Sequence, residues 1–221
     1  RNRIILLGDS LISRMEKFGY FETAATMHWP HHDIAFRNLG WPGDDVFGTA
    51  RAEFKDGRNT RSWVPGPANG TGYQILLQQV KDSKPRTIIV GYGSDVAFPD
   101  SGLSLDKFKT GYERLMKDLK GTGSSLILLT PPSQEATGSP VPDLAKRNKR
   151  LAEAADFIIE FGQKNGHLVI DLFRKITTPE SEAFTENGIH LNDKGYRKLA
   201  AVMAESLEIS ERTGSLLTVR P

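Results

Sequence analysis

Five short apolar runs, separated by amphipathic stretches, constrain the fold of this chain more than any other feature of its sequence. The runs occupy residues 4–7, 34–36, 88–90, 126–129 and 168–172. The clearest amphipathic stretches, residues 103–119 and 144–161, have apolar side chains at the three- and four-residue spacing of a helix. Short buried strands that alternate with helices are typical of right-handed βαβ units, in which a parallel sheet is covered on both faces. The pattern therefore predicts an α/β protein.

The composition favours a single globular domain over residues 1–221. A chain of 221 residues can bury a substantial core, and 38% hydrophobic with 25% charged residues are ordinary values for a folded protein. The net charge of +2 is too small to indicate nucleic-acid binding, and no apolar run approaches the ~20 residues of a membrane span. The chain has no cysteine and starts at Arg1 rather than methionine. Arg1 in place of an initiating methionine favours an extracytoplasmic or secreted protein from which an export signal or an upstream domain has been removed.

Two segments depart from the alternation of strands and helices. Residues 51–72 are rich in arginine, glycine and proline, which predicts a long surface loop. In this loop Arg58, Arg61 and Trp63 are candidates for binding a sugar face or a carboxylate, although a solvated loop with one packing tryptophan explains the composition as well. From about residue 210 the patterning is weak, which predicts an irregular tail.

The first apolar run ends in a sequence that indicates a catalytic serine. Gly8 and Asp9 follow the predicted strand, and Ser10 stands where a helix is predicted to begin. Ligands of open α/β sheets bind in the crevice beyond the carboxyl ends of the strands, so Ser10 is a candidate nucleophile. Taken alone, this segment favours Ser10 as the N-cap of that helix over Ser10 as a nucleophile. Asp9 is expected either to tie neighbouring loops together or to lie on the surface.

A histidine near the end of the chain is the matching candidate base. Gly188 interrupts regular structure, and Asn192 or Asp193 can cap the amphipathic helix that follows, so His190 is predicted in a loop just before a helix. Surface or core positions are expected for the other histidines, and a metal site is not predicted because no ligand motif accompanies them. These residues are His28, His31, His32 and His167.

The serine and histidine segments together resemble the GDSL, or SGNH, hydrolases. Residues 38–45 lie where that family has an oxyanion-hole glycine, and residues 91–95 lie where it has Gly-x-Asn, so four segments occur in the family's order. Residues 36–48 and 92–98 also resemble a bacterial branch of the family that is frequent in planctomycetes. The resemblance implies a three-layer α/β/α sandwich, a flavodoxin-like parallel sheet of about five strands, and no cofactor.

The resemblance also implies the catalytic roles. Ser10 attacks the ester and His190 takes its proton, while the backbone amides of Ser10 and Gly40 stabilise the oxyanion. Asn187 stands where the family commonly has the aspartate that orients the histidine. Glu186 is the alternative orienting group, Asp193 is a weaker one, and a backbone carbonyl would leave a Ser–His dyad.

Asp95 is a second departure from the family pattern, because the family has an asparagine whose amide helps to bind the oxyanion. An ionised carboxylate only accepts hydrogen bonds and would repel the developing charge. A buried, protonated aspartic acid can donate instead. A third interpretation is that Asp95 turns away from the oxyanion or binds a cationic or hydroxyl-rich substrate.

These observations favour a serine esterase that removes small acyl groups, above all acetyl groups, from a carbohydrate. Its substrate is expected to be a small-molecule or polysaccharide ester. A lipid esterase or thioesterase of the same mechanism is the alternative, which the polar loop 51–72 makes less favourable. A carbohydrate-binding protein with impaired catalysis is a third hypothesis, motivated by Asp95 and Asn187. A nucleic-acid partner is not expected.

Overall fold

A parallel five-stranded sheet in the order β2-β1-β3-β4-β5 forms the centre of the molecule. The structure is a computed structural model that describes residues 2–51, 72–98, 103–136, 143–177 and 182–209. Every neighbouring pair of strands is parallel, so the α/β class and the flavodoxin-like order are both confirmed. The strands are β1 (Asn2–Gly8), β2 (Ile34–Asn38), β3 (Thr87–Gly91), β4 (Ser125–Leu129) and β5 (Leu168–Ile170).

Helices cover both faces of the sheet and complete a three-layer sandwich. In the described residues they are α1 (Ser10–Met15), α2 (Tyr20–His28), α3 (Gly72–Ser83), α4 (Leu105–Lys120), α5 (Leu144–Asn165), α6 (Leu172–Lys175) and α7 (Asp193–Ser206). The core of one face contains side chains of α3, α4 and α5. The core of the other face contains side chains of α1, α2, α6 and α7.

Alternation along the strands divides the core between the two faces. Ile5 and Leu7 of β1 pack on the face that α3, α4 and α5 cover. Leu6 packs on the other face, which α1, α2, α6 and α7 cover. Successive side chains of a strand point to opposite faces, so a strand covered by helices on both sides is apolar at every position. This explains why the strands of this chain are continuous apolar runs rather than alternating ones.

The element boundaries differ from the sequence prediction in places that have local causes. The predicted run 168–172 ends as a strand at Ile170, because Asp171 caps α6 and accepts a hydrogen bond from Arg174 N at 3.2 Å. The long helix predicted over 144–161 continues to Asn165, where Gly166 ends it in a left-handed conformation. The helices α2 and α3 are not evident from spacing alone.

Both ends of the predicted loop 51–72 belong to ordered elements. Arg51 ends a short 3-10 helix (Thr49–Arg51) and is only 1% exposed, and Gly72 begins α3. The substrate-binding candidates Arg58, Arg61 and Trp63 lie outside the described residues, as does the tail from residue 210. No helix in the described ranges is long and apolar enough to cross a membrane.

Candidate active site

The site forms where β1 and β3 end side by side. Gly8 pairs with Gly91 in register, and a Cβ atom on Gly8 would lie 2.1 Å from the Gly91 carbonyl oxygen. Only glycine permits this approach of the two backbones. The close contact brings Asp9 and Ser10, which follow β1, next to Ser94 and Asp95, which follow β3.

Asp9, rather than Ser10, caps the first helix. Its Oδ1 accepts a hydrogen bond from Leu11 N at 2.9 Å, and its Oδ2 accepts one from Ser94 N at 3.3 Å. The prediction that Asp9 ties neighbouring loops together is therefore confirmed, and the N-cap interpretation of Ser10 is wrong. Ser10 is the first residue of α1, so its backbone amide does not donate to a carbonyl group within the helix.

The hydroxyl of Ser10 contacts the loop after β2. Ser10 Oγ accepts a hydrogen bond from Gly43 N at 3.0 Å, and both residues line the same cavity. Gly43 has a φ of +68°, a conformation that glycine adopts without strain. The Gly43 amide is therefore positioned to donate to charge that develops beside Ser10.

Gly40, the predicted oxyanion glycine, has a different role. Its amide donates to Asn38 Oδ1 at 2.8 Å, and a Cβ atom on Gly40 would lie 2.3 Å from Ser13 N. Gly40 thus lets the loop after β2 pack directly on the backbone of α1. The Gly40 amide, which the sequence assigned to the oxyanion hole, is thus bound to Asn38, whereas the amide that contacts Ser10 is that of Gly43.

A buried ion pair, not predicted from the sequence, supports the loop that carries Gly43. Arg51 Nε donates to Asp44 Oδ2 at 2.7 Å, and both side chains are fully buried. Arg51 Nη2 donates to the Leu39 carbonyl at 2.6 Å, and Tyr92 OH donates to Asp44 at 3.0 Å. Because the pair is hydrogen-bonded on several sides, it fixes the loop between β2 and the 3-10 helix.

His190 lies in the loop before α7, and Asn187 is the side chain that contacts its ring. Asn187 Nδ2 lies 3.1 Å from His190 Nδ1. The carboxylate of Glu186 instead accepts from Arg14 Nη2 at 2.6 Å, and Asp193 accepts from Arg197 Nε at 2.8 Å. Of the three predicted orienting groups, Asn187 is the one that touches the imidazole.

The surroundings of His190 disfavour its charged form. Partial burial, followed by the nearby positive charge of Arg14, lowers the pKa of His190 below 6.5, and Glu186 opposes this in part. The imidazole is therefore neutral at neutral pH, as a general base must be.

Asp95 lines the cavity that also contains Ser10. Burial, followed by the negative charge of Asp9, raises the pKa of Asp95 to about 8. Burial also raises the pKa of Asp9, to about 6, although its hydrogen bonds to Leu11 and Ser94 oppose this. At neutral pH Asp9 is thus the ionised member of the pair and Asp95 the protonated one. Of the predicted alternatives, this favours Asp95 as a carboxylic acid that can donate a hydrogen bond.

Two cavities meet at Ser10, Arg14 and His190, which line both of them. The larger, about 510 Å³, is bordered by polar and charged side chains of α1. The smaller, about 220 Å³, adds apolar side chains beside Asp95. The further lining residues are Ser13, Glu16, Lys17 and Pro42 in the larger cavity, and Phe98, Pro132, Leu151 and Ile189 among others in the smaller.

Ser10 and His190 share these cavities but are not joined by a direct hydrogen bond in the described structure. Catalytic hydrogen bonds of unliganded enzymes are often long and tighten only when substrate binds.

The remaining histidines lie away from this site. His28 ends α2 with its ring against Trp29, His31 and His32 are exposed, and His167 stacks on Phe161. Within the described ranges, no group of three histidine, aspartate or glutamate side chains is arranged to hold a metal ion.

Comparisons with known proteins agree with this architecture. The model of the GDSL-like lipase/acylhydrolase family matches residues 6–198. A lipase/acylhydrolase from Enterococcus faecalis is similar in structure, with a TM-score of 0.68, 20% identity, and coverage of 94% of this chain and 96% of that one. A catalytic mutant of an acetylxylan esterase from Geobacillus stearothermophilus has a TM-score of 0.69 and 15% identity, covering 93% and 94% of the two chains. No curated protein sequence matches the chain significantly.

Proposed function

Because the chain belongs to the GDSL-like lipase/acylhydrolase family and is an ester hydrolase, we propose that it removes small acyl groups, above all acetyl groups, from a carbohydrate. We base the proposal on the meeting of two cavities of different size at Ser10 and His190. An ester bound at their junction would have its acyl group on one side and its alcohol on the other.

The smaller cavity fits the acyl side of the ester. It contains Asp95 and Gly43, the proposed oxyanion donors, and Phe98 and Leu151 limit its size. The larger cavity fits the alcohol, because the Ser13, Arg14, Glu16 and Lys17 side chains at its border can exchange hydrogen bonds with sugar hydroxyl groups. The acetylxylan esterases among the similar structures support this choice of substrate class.

The proposed reaction follows from these positions. Ser10 Oγ attacks the carbonyl carbon while His190 Nε2 takes the hydroxyl proton. The backbone amides of Ser10 and Gly43 and the carboxylic acid of Asp95 donate hydrogen bonds to the oxyanion. The alcohol leaves with the proton from His190, and a water molecule activated in the same way releases the acid from Ser10.

A lipid esterase or thioesterase of the same mechanism is less well supported, because Arg14, Glu16 and Lys17 border the larger cavity and place charged groups where a lipid chain would have to lie. The comparisons do not support a carbohydrate-binding protein with impaired catalysis, since the matched family is one of hydrolases.

We expect turnover to fall as the acyl chain lengthens, with acetylated xylo-oligosaccharides cleaved faster than butyryl or octanoyl esters. Phe98→Ala should shift the preference toward longer chains, because Phe98 lines only the smaller cavity. Lys17→Ala is the matched control in the larger cavity and should leave the acyl preference unchanged. The measurement is kcat/KM over an acyl series. A preference for octanoyl esters or for acetyl thioesters in the wild type would overturn the proposal.

A further inference from the structure

The orientation of the Asn187 side chain is fixed by the backbone of its own loop. Asn187 Oδ1 accepts hydrogen bonds from His190 N at 2.9 Å and from Ile189 N at 3.2 Å. A side-chain NH2 group could not occupy that position, because it would face two N–H donors. The carbonyl of the amide therefore points at the backbone, and the NH2 group points at the imidazole.

This orientation determines which ring nitrogen of His190 carries the proton. The Asn187 NH2 group lies 3.1 Å from His190 Nδ1 and has only hydrogens to offer, so Nδ1 must accept. A neutral imidazole has one donor nitrogen and one acceptor nitrogen. With Nδ1 as the acceptor, the proton of neutral His190 lies on Nε2.

We propose that Asn187 holds neutral His190 in the tautomer protonated at Nε2, and that it is thereby a positioning residue that restrains turnover. The restraint on turnover rests on the proposed function, in which His190 accepts the Ser10 proton at Nε2. In the restrained state that nitrogen already carries a proton. Catalysis then requires the ring to lose its Nε2 proton to solvent and to gain one at Nδ1, while the amide of Asn187 turns away.

The charged groups around the ring do not supply the missing acceptor. Glu186, the nearest carboxylate along the chain, is paired with Arg14 at 2.6 Å. Burial and then Arg14 lower the pKa of His190, and Glu186 raises it in part, so the imidazole is neutral. The Glu186 carboxylate accepts from Arg14 and leaves Nδ1 to the NH2 group of Asn187. In the imidazolium that forms during Ser10 attack, Nδ1 also carries a proton. That N–H group would face the NH2 group of Asn187, and neither group can accept a hydrogen bond.

Asn187→Asp is the direct test, because it keeps the shape of the side chain. One carboxylate oxygen can still accept from Ile189 N and His190 N, and the other can accept from His190 Nδ1. We expect kcat to rise about 10²- to 10⁴-fold with little change in KM, since an asparagine in place of the orienting aspartate of serine proteases lowers kcat about 10⁴-fold through the wrong tautomer. Asn165→Asp adds the same charge on an exposed helix end and is the control.

The tautomer itself can be read without substrate by nitrogen-15 NMR of the histidine rings, above the pKa of His190. The signal is assigned by its absence in His190→Ala. We expect protonation at Nε2 in the wild type and in Asn165→Asp, and at Nδ1 in Asn187→Asp. Protonation of neutral wild-type His190 at Nδ1 would overturn the inference. An Nε2-protonated ring in a protein that cleaves no ester would instead refute the proposed function and leave the tautomer standing.

Discussion

At the scale of single residues, the site depends on groups whose protonation is set by burial. Asp95 shows this best, because an ionised carboxylate beside the oxyanion would oppose the reaction, whereas a carboxylic acid assists it. A pKa of about 8 keeps the Asp95 carboxyl protonated at neutral pH, as its proposed role as an oxyanion donor requires. Sequence reasoning identified the position and the alternatives, but burial and the neighbouring Asp9, which decide between them, depend on the folded structure.

We expect the wild-type rate to fall above a pH of about 8, where Asp95 ionises, by about 10²- to 10³-fold as an oxyanion donor is lost. On the acid side, the rate should persist below pH 6.5, because the pKa of His190 is lowered and its imidazole stays neutral there. Asp95→Asn should abolish the alkaline fall, since an amide donates at any pH. A pH–rate profile of kcat/KM checks this. A wild-type rate that still rises at pH 9, or a large loss in Asp95→Asn at pH 7, would contradict it.

The same substitution makes a separate prediction for stability. Folded Asp95 keeps its proton up to a pH of about 8, whereas the unfolded chain loses it near 3.8. Between these values the folded state binds more protons, so the free energy of unfolding falls as pH rises. The gain in Tm from Asp95→Asn should therefore grow from pH 4 to pH 8 and then level off.

At the scale of elements, the loop after β2 and the first helix α1 must stay in contact for the site to form. The sequence predicted both elements, because apolar runs and capping residues are local signals. It did not distinguish Gly40 from Gly43, since both stand in one glycine-containing loop. Only the packing of that loop on α1 shows that Gly40 provides the close approach and that Gly43 provides the amide that contacts Ser10. Arg51 was misjudged for the same reason, because a buried arginine is recognisable only with its partner Asp44 in place.

Gly40→Ala should separate the two elements. Its Cβ would lie 2.3 Å from Ser13 N and 2.7 Å from Ile12 C, which are backbone atoms that cannot rotate away. We expect a loss of about 1–3 kcal/mol in the free energy of unfolding and a marked fall in kcat, as Ser10 moves relative to Gly43. Gly123→Ala is the control, because the φ of +75° at Gly123 also makes alanine destabilising there, but this turn is remote from the site, so kcat should stay unchanged. Denaturant unfolding and kcat measured on both variants test this. An unchanged kcat in a destabilised Gly40→Ala would show that the contact does not position the site.

At the scale of the whole molecule, the fold gathers residues from distant parts of the chain at one edge of the sheet. Asp9, Gly43 and Asp95 follow three neighbouring strands, and His190 arrives from the loop before α7. Parallel strands end at the same edge, which makes this crevice the general ligand site of such sheets. The fold was predictable from local pattern, and family order selected Ser10 and His190, which the structure brings to the same cavities. The tautomer of His190 and the division into two cavities were not, because they depend on side-chain contacts.

Ser10 and His190 are proposed to act as one catalytic unit, and a comparison of the two single variants with the double variant tests this. Residues that act as a unit are non-additive, because a base accomplishes little without its nucleophile. We predict that Ser10→Ala and His190→Ala each abolish hydrolysis of an acetylated oligosaccharide while the protein remains folded. The double variant should be scarcely worse than either single one. Near-normal turnover by Ser10→Ala would contradict a joint role of the two residues. So would a fold loss of kcat in the double variant that equals the product of the two single losses.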